Sequence, residues 1–317
     1  MSATIGVDVG GTKCLGVLVD AGGAVLHEHR VPTPRGEEAI VQAVLDVTAA
    51  LRSAAGNPSI GGVGVGLPGL VDRRGSLQFA PNLPGVDDLP VGDLVREALG
   101  GIPVRVENDA SCAGWGEREA GAARGADHAV LVTLGTGIGG GIIAGGALYR
   151  GANGFAGEVG HMVVDPHGPP CPCGKRGCWE RFASGSGLGR LAREAALAGR
   201  ADRIVQLAGG DPEDVKGEHV TAAATEGDGA AVTVMADYAW WVAVGLANLA
   251  NVFDPEVLVL GGGLVEAGPV LLDPVRSAFA DLVEAVEHRP EVRIEPAQLG
   301  EHAGAIGAAW LARDISP

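Results

Sequence analysis

The chain has 317 residues, 46% hydrophobic and 20% charged, a balance that fits a globular protein of about two domains with a large core. Its net charge of −16, from 23 Lys and Arg against 39 Asp and Glu, argues against a nucleic-acid partner, because a phosphate backbone is held chiefly through Lys and Arg. Ser2-Ala3-Thr4-Ile5-Gly6 runs straight into a strand-like segment with no leader pattern, and no apolar stretch reaches about 18 residues free of Gly-rich or charged interruptions, so no membrane partner and a cytoplasmic location are expected.

Residues 3–9, 13–19 and 24–31 read as three strands joined by glycine turns, an antiparallel meander. A helix is predicted over 36–54, with Ile40, Val44, Val47 and Leu51 on one face. A strand from Ile60 to Leu67 ends at Pro68-Gly69, followed by a helix near 91–99, a strand over 102–106 and a helix from about Asn108-Asp109. The opening theme then recurs as strand 128–134, Gly-rich turn 135–140 and strand 141–149, which implies a duplicated architecture. Residues 151–183 form a long irregular segment, and such loops in compact domains are usually functional. Beyond 184 the pattern is mostly helical. The stretch 229–252 reads as a buried apolar helix, 256–260 as a strand, 268–286 as a helix, 291–294 as a strand and 303–313 as a closing helix.

Asp8-Val9-Gly10-Gly11-Thr12-Lys13 can aim backbone N–H groups at a phosphate, or can be a plain hairpin turn. It is not a P-loop, because Lys and Thr stand in the wrong order and a strand follows. Gly135-Thr136-Gly137-Ile138-Gly139-Gly140 formally matches a dinucleotide fingerprint. That fingerprint requires a helix after the glycines, and here strand and turn follow, so a second phosphate hairpin is the better reading. Gly261-Gly262-Gly263 ends a buried strand, as a ligand crevice or a simple strand-to-helix turn.

Five Cys fit a reducing compartment, with Cys14 and Cys112 read as small core fillers. His161 with Cys171-x-Cys173-x4-Cys178 supplies three thiolates and an imidazole, a closed four-ligand set of the kind that holds structural zinc. If zinc ties 161 to 178, Glu158 and Glu180 come close enough to bind vicinal hydroxyls, although both also read as solvated acids. Asn108-Asp109 reads as a helix N-cap, or as a general base at the end of a strand.

Together DVGGTK at 8–13, GLPGLVD at 66–72, ENDA at 107–110, LGTGIGGG at 134–141, GEVGH at 157–161, CPCGKRGCWE at 171–180 and LGGG at 260–263 resemble the ROK family of bacterial sugar kinases and sugar-responsive repressors, over essentially the whole length. The resemblance implies an α/β, two-domain actin-like ATPase (ribonuclease H-like) fold with its active site in a cleft between the domains. The expected domains are 1–108, 109–300 and a C-terminal helix, 301–317, that returns to the first. The implied activity is ATP-dependent phosphorylation of a hexose, glucose first, with mannose, fructose and N-acetylmannosamine as other acceptors. By resemblance Asp109 is the catalytic base. Gly66, Asn108, Glu158, His161 and Glu180 bind the sugar. Gly10, Gly11, Thr12, Lys13, Gly135, Thr136 and Gly137 cradle the ATP phosphates, and Gly262 and Gly263 the adenosine. Mg²⁺ accompanies ATP near Asp8, and structural Zn²⁺ is held by His161, Cys171, Cys173 and Cys178. A homodimer or homotetramer is implied. Repressors of the family carry an N-terminal helix-turn-helix; with the first strand expected from residue 3, a kinase is expected here, with a non-catalytic sugar sensor or regulator as the alternative.

Overall fold

A computed structural model of the chain describes residues 2–314. The opening meander forms where glycine turns interrupt the β-rich segments: β1 (Ala3–Val9), β2 (Lys13–Val19) and β3 (Val25–Pro32) pair antiparallel. After α1 (Glu37–Ala54), β4 (Ile60–Leu67) lies parallel to β1. Three short strands, β5 (Leu70–Val71), β6 (Leu77–Phe79) and β7 (Asp87–Leu89), make a separate antiparallel sheet. Strands this short carry too few residues to show a two-residue period, and the sequence gives no sign of them. α2 (Val91–Ala98) leads to β8 (Val104–Asn108), parallel to β4. The first sheet therefore reads β3-β2-β1-β4-β8.

The second sheet repeats this plan. After α3 (Asp109–Ala120) come β9 (Ala129–Leu134), β10 (Ile138–Ala144) and β11 (Ala147–Leu148). Then follow α4 (Glu180–Ala183), α5 (Gly185–Leu197), α6 (Asp202–Leu207), α7 (Gly217–Thr225) and α8 (Gly229–Phe253). β12 (Val257–Gly261), α9 (Pro269–Leu282), β13 (Arg293–Pro296) and α10 (Ala303–Leu311) complete the order. The sheet runs β11-β10-β9-β12-β13, so each sheet places its own third, second, first, fourth and fifth strands in that sequence. The duplication legible in the glycine turns is thus a duplication of sheet topology.

The chain forms two compact units, one from Met1–Leu131, Gly140–Gly157 and Ala297–Pro317, the other from Val132–Gly139 and Glu158–Pro296. The break expected at 108/109 is absent, and the return to the first unit begins at Ala297 rather than 301. The physical reason is the fit of α3 against α10. A Cβ added at Gly307 would stand 1.7 Å from the Cys112 carbonyl oxygen, so only glycine lets the two backbones approach this closely. α10 also lies on the first sheet, where a Cβ at Gly64 would stand 1.8 Å from the Ala308 carbonyl oxygen. The fully buried Glu117 on α3 accepts hydrogen bonds from the N–H groups of Ala122, Gln298 and Leu299, fixing the returning segment to that helix. On the opposite face of this sheet, Ile40, Val44, Val47 and Leu51 of α1 pack into a core with Ile5, Val7, Val63 and Val65.

In the second unit α8 is the central support. Trp179 is completely buried, and its indole N–H donates to the Trp241 carbonyl at 2.7 Å. Phe182 stacks on Trp241 with ring centroids 4.0 Å apart, and the Tyr238 hydroxyl donates to the Ala183 carbonyl. These contacts seat α4 on α8. By length and composition α8 is long and apolar enough to cross a membrane, with mean hydropathy 1.4 over its most apolar 18-residue window, although Asp237 and Gly245 interrupt every such window. Just over half of that window is buried within the protein, where Val234, Tyr238, Val242 and Leu246 face the core.

Candidate active site

The residues singled out from sequence fall into two groups, one in each unit. In the first unit, Asp8 stands near the end of β1. The following turn is closed by the Gly10 N–H donating to the Lys13 carbonyl at 2.9 Å, and Thr33 ties it down through its hydroxyl to the Gly10 carbonyl. Gly11 and Thr12 are exposed, and the Thr12 carbonyl accepts from the Thr33 N–H at 3.1 Å. The Lys13 ammonium is bound to Glu301, which also takes the Arg30 guanidinium at 2.6 Å. Those two cations hold the Glu301 carboxyl down at about 2.

Asp8 is packed between β4 and α10. A Cβ at Gly66 would stand 3.3 Å from its Oδ1, and one at Gly304 would stand 2.7 Å from its Cγ. Oδ1 is buried and accepts no hydrogen bond. Burial, and then the charge of Asp109, push the Asp8 carboxyl up to about 7 against the opposing pull of Lys13. An orphaned, buried carboxylate oxygen beside a second carboxylate is a position that a hard cation such as Mg²⁺ satisfies.

Asn108 and Asp109 divide the work of one helix start. The Asn108 side chain caps α3, accepting from the Ser111 N–H at 3.0 Å, and donates its Nδ2 to the Gly69 carbonyl. The Asp109 carboxylate accepts from the Ala110 N–H at 2.8 Å, from its own N–H and from the Asn108 side chain. Burial raises the Asp109 carboxyl above its ordinary range, the direction that brings a carboxylate base nearer to working pH. Beneath them Cys112 is fully buried, its thiol pushed up by burial and by Glu107, Asp8 and Asp109. It is core, as is Cys14.

In the second unit the ligand atoms of His161, Cys171, Cys173 and Cys178 all lie within 4.8 Å of one another. Cys173 Sγ is 3.5 Å from Cys178 Sγ, and His161 Nδ1 is 3.8 Å from Cys171 Sγ. Tetrahedral zinc with Zn–S of about 2.3 Å places its sulfurs about 3.8 Å apart, so this donor set fits zinc. The Cys171 N–H donates to the Lys175 carbonyl and the Gly174 N–H to the Cys171 carbonyl, a tight knuckle that turns Cys171 and Cys173 the same way. Burial and the two neighbouring thiols push Cys178 up to about 12. With Nδ1 turned to the sulfurs, His161 presents Nε2 toward Glu158, 3.9 Å away.

The 135–138 turn lies against this segment. Glu180 Oε2 accepts the Ile138 N–H at 3.0 Å, the Gly185 N–H donates to the Gly135 carbonyl at 2.8 Å, and the Ser186 hydroxyl donates to the Thr136 carbonyl at 3.2 Å. Gly262, with φ of 86°, and Gly263 follow β12 at the start of a short helical turn. Three partners here escape sequence reasoning: Glu301 on Lys13, Gly304 against Asp8, and Ser186 on the hairpin. Each is a long-range contact with no local motif around it.

The profile of the ROK family matches residues 4–315. A glucokinase of Streptomyces coelicolor is 43% identical over 320 residues, covering all of this chain and 99% of the relative. The crystal structure of a ROK family glucokinase from Streptomyces griseus, in complex with glucose and AMPPNP, superposes with a TM-score of 0.84 at 42% identity, covering 98% of this chain and 99% of that one. A ROK hexokinase from Thermus thermophilus superposes with a TM-score of 0.79 at 35% identity, over 98% of this chain and 97% of the other.

Proposed function

The chain belongs to the ROK family, and from that premise we propose that it is an ATP-dependent glucokinase, transferring the γ-phosphoryl group of ATP to the 6-hydroxyl of glucose. The observation that carries the reading is the full-length likeness to glucokinases, one of them solved with glucose and AMPPNP.

Phosphoryl transfer asks a protein mainly for positioning and charge stabilisation. Asp109 is the general base, accepting the proton of the 6-hydroxyl as that oxygen attacks the γ-phosphorus. Its burial-raised carboxyl supports this role, and such help is worth about 10²–10⁴ in rate. Asn108, Gly66, Glu158, His161 and Glu180 hold the sugar hydroxyls. The half-exposed Glu158 and the Nε2 face of His161 support that assignment. The turns at 10–13 and 135–137 hold the phosphates by backbone N–H groups, and Gly262 and Gly263 flank the adenosine. Asp8 would hold the Mg²⁺ that accompanies ATP and screens phosphate charge. His161, Cys171, Cys173 and Cys178 would hold Zn²⁺, which cross-links the segment that carries the sugar residues. The protein works in the cytoplasm as a homo-oligomer.

A broader hexose kinase is the second reading, favoured by the likeness to a hexokinase. The test is turnover of ATP with a panel of hexoses. Glucose as the best acceptor supports the proposal, a different preferred hexose replaces the substrate, and sugar binding without any turnover sinks the kinase reading in favour of a sensor.

A further inference from the structure

One residue of the second phosphate hairpin, Ile138, is held from two sides. Its N–H donates to Glu180 Oε2 at 3.0 Å. Its carbonyl is backed by Gly160, where a Cβ would stand 2.5 Å from the oxygen. The carboxylate of Glu180 also lies against Gly137, where a Cβ would stand 2.4 Å from Oε2. Gly185 and Ser186 add two further bonds to Gly135 and Thr136. Gly160 precedes the ligand His161, and Glu180 follows the ligand Cys178 by two residues. The two chain segments gathered by the four-ligand cluster are therefore the same two that grip the hairpin.

We infer that Glu180 is a positioning residue for the nucleotide, and that sugar and nucleotide binding are coupled through its carboxylate. The inference rests on the function proposed above for Glu180 and for the hairpin. Oε2 fixes the Ile138 N–H and with it the turn at 135–138. Oε1 is left to accept a sugar hydroxyl. A hydroxyl bound to Oε1 restricts the plane of the carboxylate, and that restriction strengthens the bond made by Oε2. A hairpin closed on phosphate restricts the same plane from the other side. Linkage requires the two effects to be equal.

The experiment is isothermal titration of the zinc-loaded protein with glucose and with a non-hydrolysable ATP analogue plus Mg²⁺, each alone and with the other saturating. In the wild type each ligand is expected to tighten the other by one common factor, in the range of about 5–150-fold. In Glu180→Ala the analogue alone, with no sugar present, should bind about three- to tenfold more weakly, the equivalent of one net hydrogen bond. A residue acting on sugar alone would not move that constant. Ser186→Ala removes a hairpin bond without touching the carboxylate, and should lower the coupling factor while leaving the dissociation constant of glucose alone unchanged. Unaltered analogue affinity in Glu180→Ala, or independent binding of the two ligands to the wild type, overturns the inference and leaves the glucokinase reading standing. Failure of either ligand to bind the wild type overturns the glucokinase reading itself.

Discussion

Asp8→Asn tests the electrostatics of the first unit directly, because it keeps the shape of the side chain and removes its titration. The Asp8 carboxyl sits at about 7 in the folded protein against an ordinary value of 3.8. A raised folded-state value means that the fold binds the proton more tightly than the unfolded chain does. Its contribution is therefore present in full below about pH 4 and is lost as pH rises through about 7. Between pH 5 and pH 8 the wild type forfeits about two units, or about 2.7 kcal/mol at 1.36 kcal/mol per unit. Partial exposure of the Asp8 residue brings the expected loss to about 1–3 kcal/mol. For a unit of this size that is about 3–10 °C in melting temperature. Thermal unfolding without nucleotide, followed by circular dichroism from pH 5 to pH 8, should show the Asn variant gaining on the wild type by that amount as pH rises. A melting-temperature difference that stays flat across the range refutes the argument from burial and the neighbouring Asp109 charge.

Asp109→Ala is expected to lower kcat by about 10²–10⁴ while glucose still binds, measured by coupled assay and by titration; a loss under tenfold would remove Asp109 from the role of base. Each chain purified without chelator should carry one zinc, released on unfolding and quantified with a chromophoric chelator, and Cys173→Ser should release it at lower chelator concentration than the wild type does. Zinc-free protein of full stability would refute the structural site. Gly307→Ala forces a Cβ into the contact with the Cys112 carbonyl, and overpacking of this kind should cost about 1–3 kcal/mol in denaturant unfolding. An unchanged midpoint would show that α10 can shift away from α3 at no cost.

Much of this protein is written locally in its sequence. Strand, glycine turn and strand recur at 3–19 and 129–144 because a hairpin needs only its own residues and the glycines between them. The four zinc-type donors were legible for the same reason: Cys171, Cys173 and Cys178 lie within one knuckle, and His161 is ten residues from the first of them. The N-cap reading of Asn108-Asp109 was local too, and the structure gives that task to Asn108. What sequence alone left open depended on contacts between distant segments. No pattern near residue 109 shows that α3 stays with the first unit, because the reason lies about two hundred residues away in Gly307 and in the backbone N–H groups of Gln298 and Leu299. No motif ties Glu180 to Ile138 or Glu301 to Lys13. The pressure on Asp8 is likewise tertiary, since burial under α10 and the approach of Asp109, not its neighbours in the chain, set its charge. Local spacing thus marked the turns, the cap and the zinc-type knuckle, and the family resemblance suggested their roles, whereas burial and backbone approach, which only the folded chain possesses, decided how each of these residues is held and charged.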